Sequence, residues 1–212
     1  MTLGKKEQGN ALFLILMAIV LFGALAYAMN KKDNASGDNK DANIVSAASG
    51  VTRYPSGIRT GVTRMLLRGA TVEDLRFNDP AHFEQGHETD EVFHLTGGGA
   101  VYEAVDPNAV VTLIPTTTHP TQNWYFTSGN KITNIGTDKN DVIAVLMDVR
   151  KSVCEQINQQ ITGKAVIPDA QLAEAQIIGS GNVYGPLANG QPFLCMKENG
   201  GKNFYYHVLV EE

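Results

Sequence analysis

The stretch His82-Phe-Glu-Gln-Gly-His-Glu-Thr-Asp-Glu-Val-Phe-His94 concentrates more ligand chemistry than any other part of the chain. It holds His82, His87 and His94 with Glu84, Glu88, Asp90 and Glu91 between them. Imidazoles and carboxylates are the donors that zinc or nickel select. The spacing H-x4-H-x6-H fits no zinc pattern, however, and it lacks the H-E-x-x-H arrangement that sets two imidazoles on one helix face. A solvated acidic loop beside a strand explains it better, so no metal and no cofactor is expected. Gly97-Gly98-Gly99 follows a strand-like run, but the next segment also reads as a strand. A phosphate cradle needs a helix N-terminus at that point, so a turn or bulge is expected instead. Neither G-x-S-x-G nor a Walker sequence occurs, and no enzyme is expected.

Cys154 and Cys195 are the only cysteines. As a nucleophile, either would need a histidine and an orienting group that the sequence does not supply. A single disulfide, and with it an oxidising compartment, is the expectation. Cys154 falls on the apolar face of a helical pattern and Cys195 within a strand-like run. A bridge between them would pin helix to sheet and contribute about 4 kcal/mol by chain entropy.

The elements that position these groups can be read from periodicity. Val142, Ile143, Leu146, Met147, Val149, Val153, Cys154, Ile157 and Ile161 predict one helix over 141–161, capped by Asp138 or Asn140 and ended by Gly163. A shorter helix is expected over 168–176. Phe193–Lys197 and Asn203–Val210 read as a hairpin around Asn199-Gly200-Gly201. In its second strand, Phe204, Tyr205, Tyr206 and His207 alternate between core and surface, and the surface side could form a subunit contact. Upstream, the runs at 91–96, 100–105, 110–114, 123–128 and 131–136 predict an antiparallel sheet, with 127–131 as a hairpin turn. Ile44, Ala47, Ala48, Val51, Ile58, Val62, Met65 and Leu66 predict an amphipathic helix. Pro55 implies a kink or a start near Ser56, with an end near Leu67 and Gly69. Arg53 and Arg64 stand in two copies of Gly-Val-Thr-Arg eleven residues apart. As a helix they would face one way, which a solvated face and a chance similarity explain best, and which could alternatively meet acids on a neighbouring subunit. Thr71 and Asp74 have the spacing of a cap.

The N-terminus differs in kind. Ala11 to Met29 contains no charged residue and no proline, and Lys5 and Lys6 precede it. As a helix the run nearly crosses a hydrocarbon core, with the C-terminal part exported. Cleavage after Ala28, at Ala26-Tyr27-Ala28, would release a secreted protein. Retention would leave a binding or structural module tethered to the inner membrane. The short hydrophilic leader ending in Gly9, directly abutting the apolar run, resembles the class III signal of type IV pilins and pseudopilins. The Val-Cys-Glu-Gln-Ile-Asn segment at 153–158 and the aromatic C-terminal strand are similar to those of small pilin-like proteins. That resemblance implies cleavage by a prepilin peptidase between Gly9 and Asn10, with methylation of the new terminus. It further implies residence in the inner membrane before assembly, then packing through Leu12, Phe13, Leu14, Leu16, Ile19, Leu21 and Phe22 against copies or related subunits. The product would be a pilus-like or pseudopilus-like filament at the cell surface. Two departures stand out: Leu14 occupies the fifth mature position, where the family carries glutamate, and the polar segment 30–42 interrupts the helix.

The resulting expectation is an α+β protein. Its parts are a leader (1–9), a transmembrane and assembly helix (10–29), a polar linker (30–42) and an exported head (43–212). The head would combine an amphipathic helix with an antiparallel sheet and a disulfide-stapled helix. Lys and Arg number 17 against 22 Asp and Glu, and the net charge of −5 argues against nucleic acid as a partner.

Overall fold

In a computed structural model of the protein, the backbone is described for residues 9–32, 38–184, 188 and 190–212. Side chains are described for 13–25 and, within those ranges, from 40 onward. The chain divides into two compact units, Met1–Ala42 and Asn43–Glu212. The first carries α1 (Gly9–Lys32) and the opening residues of α2 (Asp38–Leu67). The second contains the rest of α2, strand β1 (Trp124–Ile132) and strand β2 (Asp141–Val149). Helix α3 (Lys151–Thr162), α4 (Glu174–Ile177), β3 (Val183–Tyr184), β4 (Phe193–Lys197) and β5 (Asn203–Val210) follow.

The expected transmembrane helix is not found. Among the described residues no helix is long and apolar enough to cross a membrane. Lys5, Lys6 and the leader up to residue 8 lie outside the described residues, as does the middle of the 30–42 linker.

The sheet has the order β3-β1-β2-β5-β4, antiparallel throughout except for the short parallel pairing of β3 with β1. Its middle strands explain the largest departure from expectation. Residues 141–149 form β2, not the first half of a helix. On one face Ala144 and Leu146 enter a core shared with Tyr205, Cys154 and α2. On the other, Ile143, Val145 and Met147 join Phe204, Tyr206, Tyr184 and Ile177. A strand covered on both faces loses its period-two alternation and reads as a continuous apolar run, which also satisfies helical spacing. Asp148, at φ 61°, marks the bulge that ends the strand. Its carbonyl accepts from Val111 N at 2.8 Å and its carboxylate from Thr112 N at 3.0 Å. Helix α3 begins only at Lys151 and stops at Gly163, whose φ of 73° gives the expected left-handed cap.

Helix α2 runs through Pro55 without a break, so no late start near Ser56 occurs. Proline costs roughly 3 kcal/mol inside a helix. Seven side chains offset this: Ala47, Ala48, Val51, Tyr54, Ile58, Val62 and Met65 are all buried in the core under the sheet. Thr71 N donates to the Asp74 carboxylate at 2.7 Å, the anticipated cap, though on a single 3-10 turn.

Three expected strands, at 91–96, 100–105 and 110–114, are irregular. Among the described residues their β pairing is limited to isolated bridges, Arg76 with Glu91 and Val110 with Val149 of β2. The 127–131 segment does not turn; it continues β1 through a bulge. There the 179–181 segment crosses so closely that a Cβ on Gly129 would lie 2.2 Å from Ser180 Cβ. The helix expected over 168–176 shrinks to α4. Residues 168–170 instead line the open edge of β4, where Lys197 N donates to Pro168 O and Ala170 N donates to Lys197 O, both at 2.8 Å. Unpaired edge groups outcompete a marginal helix.

The C-terminal hairpin forms with the predicted boundaries, Cys195 facing Tyr205 and Leu194 facing Tyr206. Cys154 and Cys195 are joined in a disulfide with a Cα–Cα distance of 5.3 Å. Asn158, one turn further along α3, completes the clasp: its Nδ2 donates to Cys195 O at 2.8 Å and its Oδ1 accepts from Cys195 N at 2.9 Å.

Candidate functional site

The 82–94 segment lies in turns tied to its surroundings by backbone bonds, Arg76 N to Asp90 O at 2.9 Å and Val92 N to Arg76 O at 2.8 Å. Its imidazoles do not converge. His82 Nδ1 meets Asp79 Oδ2 at 2.6 Å and His87 Nδ1 meets Asp90 Oδ2 at 3.0 Å. His94 Nδ1 meets Thr96 Oγ1 at 2.7 Å. Each is satisfied by a group two or three residues away, and Arg76 holds Glu84 in an ion pair. Among the described residues, no group of three or more His, Cys, Asp or Glu is placed to hold a metal ion. Glu91 is fully buried: its Oε1 accepts from Asn78 Nδ2 at 2.8 Å while its Oε2 has no hydrogen-bond partner.

The glycine triplet serves backbone packing. A Cβ on Gly97 would stand 2.1 Å from Glu91 O, and one on Gly98 2.4 Å from Val92 O. Arg64, pictured on sequence grounds as reaching a neighbour, donates to Gly98 O at 2.8 Å, and Arg53 lies 3.8 Å from Glu103. Both arginines therefore have partners within their own chain.

The aromatic strand is core on both faces. Phe204, Tyr205 and Tyr206 are fully buried, so the subunit contact entertained for them is not available. Tyr205 and His207 share one face, with the hydroxyl 2.8 Å from Nδ1. The imidazole is stacked on Phe193 at 5.0 Å. Burial, reinforced by the Arg59 charge, lowers its pKa to about 4, so the ring is neutral near pH 7, and its tautomer sets which partner donates in the bond to the Tyr205 hydroxyl.

One concave feature combines an apolar floor with convergent polar groups. Ser46, Ser49 and Arg53 of α2 face Glu103 and Asp106 across a cavity of about 340 Å³, floored by Tyr54 and Trp124. The two rings lie 5.3 Å apart. No local pattern announced this site, because its walls come from segments some fifty residues apart.

In α1, every described side chain from Phe13 to Leu25 is exposed, with Phe13 at 64% and Phe22 at 76%. The anticipated assembly residues Phe13, Leu14, Leu16, Ile19, Leu21 and Phe22 fall within that run; the side chains of Gly9, Asn10, Leu12 and Ala28 lie outside the described ones.

The chain matches no family model, no curated protein and no solved structure. The resemblance to type IV pilins and pseudopilins is thereby corrected: neither a family match nor a membrane-length apolar helix stands behind the Gly9 leader pattern.

Proposed function

We propose that the protein is a non-catalytic structural subunit, exported to an oxidising compartment, whose copies associate through α1 into an extended assembly. The observation that carries this reading is the run Phe13–Leu25, thirteen consecutive exposed residues without one polar side chain. Ten of them are large hydrophobics. At about 1.5–3 kcal/mol for each fully buried large side chain, their removal from water is worth on the order of 10 kcal/mol even when half of it is realised. Exposed apolar surface of this extent marks an interaction site. The remaining features support a stable, inert head: histidines bonded locally, a clasped β4 edge, and a disulfide of the kind used outside reducing compartments.

The test compares the full chain with an Ile15→Asp, Ile19→Lys, Phe22→Asp variant, both by sedimentation and negative-stain electron microscopy, after mass spectrometry has located each mature N-terminus. The expected result is polydisperse or filamentous wild-type protein, and a monomeric variant with unchanged Trp124 emission. A wild-type monomer that retains residues 10–29, or a mature chain that lacks them, would overturn the proposal.

A further inference from the structure

The cavity between α2 and the 103–106 segment has a composition that selects a ligand class. Its floor is apolar and aromatic, with Val51, Tyr54, Trp124 and Leu146 set below the rim. Trp124 is only 3% exposed and Tyr54 is 8%, so the floor presents a thin apolar strip rather than a greasy hole. The rim is polar on both sides. Ser46 and Ser49 offer hydroxyls from one wall; Glu103 and Asp106 offer carboxylates from the other.

Arg53 stands at the rim, 3.8 Å from Glu103, a separation too long for a direct hydrogen bond. Donors, acceptors and both signs of charge thus surround one small apolar floor. A simple anion would face two carboxylates, and an aliphatic ligand would strip water from the whole rim without replacing its hydrogen bonds. A compact molecule with an apolar face and hydroxyls around its edge satisfies floor and rim together.

We infer that this cavity binds a neutral polyhydroxylated ligand of monosaccharide size. The volume of about 340 Å³ accommodates one hexose and excludes a longer chain lying wholly inside. In this arrangement the Glu103 carboxylate and the Asp106 Oδ2 accept from ligand hydroxyls, since Asp106 Oδ1 already accepts from Asn108. The Arg53 guanidinium donates to a ring or hydroxyl oxygen, and an apolar edge of the ligand lies on the narrow strip that Tyr54 and Trp124 leave exposed. Low affinity, in the millimolar range, is expected for a ligand of about a dozen heavy atoms in an open, wet site. The site is independent of α1 and of the assembly proposed above.

Trp124 is the only tryptophan in the chain and lies at the floor, so its emission reports on occupancy directly. The experiment titrates the full-length protein with glucose, galactose and N-acetylglucosamine up to about 100 mM, well above the millimolar range expected. Saturation-transfer NMR is run on the same samples. The blocking variant is Gly50→Leu. Gly50 lines the cavity, and a Cβ there meets nothing within 4 Å, so the new side chain fills the site without straining α2. A saturable emission change and ligand NMR signals for at least one sugar, both lost in Gly50→Leu and weakened at least tenfold in Glu103→Gln, are expected. Absence of both signals for all three sugars would overturn the inference. A response that survives Gly50→Leu would do so too, as would a response confined to a quaternary ammonium probe such as choline.

Discussion

Reducing the Cys154–Cys195 bridge should cost the second unit a large part of its stability. The two cysteines are 41 residues apart, and closing a loop of that length in the unfolded chain is worth about 4 kcal/mol by chain entropy. Domains of this kind have roughly 5–15 kcal/mol in total. With a urea dependence near 2 kcal/mol/M, the midpoint in a Cys154→Ala, Cys195→Ala variant should fall by about 2 M. Trp124 fluorescence follows the transition, since that ring is buried in the same core as the bridge. The mechanism can be separated from simple native-state contact because Asn158 clasps the same two elements. Asn158→Ala leaves the buried Cys195 N–H and C=O without partners, a loss of several kcal/mol at about 1–3 kcal/mol for each group. If the bridge acts on the unfolded chain, its removal and Asn158→Ala should add within about 0.5 kcal/mol. If it instead holds α3 in register on β4, losing both should cost markedly less than the sum. A midpoint shift below about 0.5 M, equivalent to about 1 kcal/mol, would refute the entropic account.

Three further outcomes follow from the geometry. His207 has a folded pKa of about 4 against an ordinary 6.5, so the unfolded chain binds more protons between those values. Stability is therefore fully present above pH 6.5 and falls as pH drops towards 4, by about 3 kcal/mol over that window. His207→Gln should flatten this part of a pH series of urea midpoints, and an unchanged slope would sink the assignment. Gly98→Ala should destabilise the 82–99 loop by more than about 2 kcal/mol because its Cβ would meet Val92 O at 2.4 Å. Limited proteolysis at 82–99 reads this out, with Gly57→Ala, whose Cβ meets nothing, as the control expected to be neutral or up to about 1 kcal/mol stabilising. Zinc or nickel added to the full chain should leave its thermal midpoint unchanged, since His82, His87 and His94 are each bonded to a separate local group; a rise with metal would contradict that arrangement.

Local signals carried the C-terminal hairpin, the Gly163 cap and the α2 stripe, because each rests on residues adjacent in the chain or one turn apart; the Cys154–Cys195 pair was legible because the chain has only two cysteines. The reading failed where tertiary coverage decides. Residues 141–149 lie between two cores, and an apolar run buried on both sides carries no period to separate strand from helix. Its β-branched content, Val142, Ile143, Val145 and Val149, was the available clue. Residues 91–114 look strand-like through Val92, Phe93, Tyr102 and Val110, yet Gly97 and Gly98 fold that chain back against Glu91 and Val92 before a ladder can extend. Pro55 misled in the other direction, since a helix pressed against a core tolerates what an isolated one would not. The aromatic-floored cavity was invisible because Ser46–Arg53 and Glu103–Asp106 share no motif.

β2 and β5 hand alternate side chains to two separate interiors, Leu146 and Tyr205 to one, Val145 and Tyr206 to the other. The first interior is roofed by the long helix α2, the second by a chain segment with one four-residue helix and one two-residue strand. Replacements at odd and even positions of the same strand are therefore felt by different roofs. The lightly built side can diverge in sequence and shape while the helical side stays put, giving one scaffold two surfaces on which drift proceeds at separate rates.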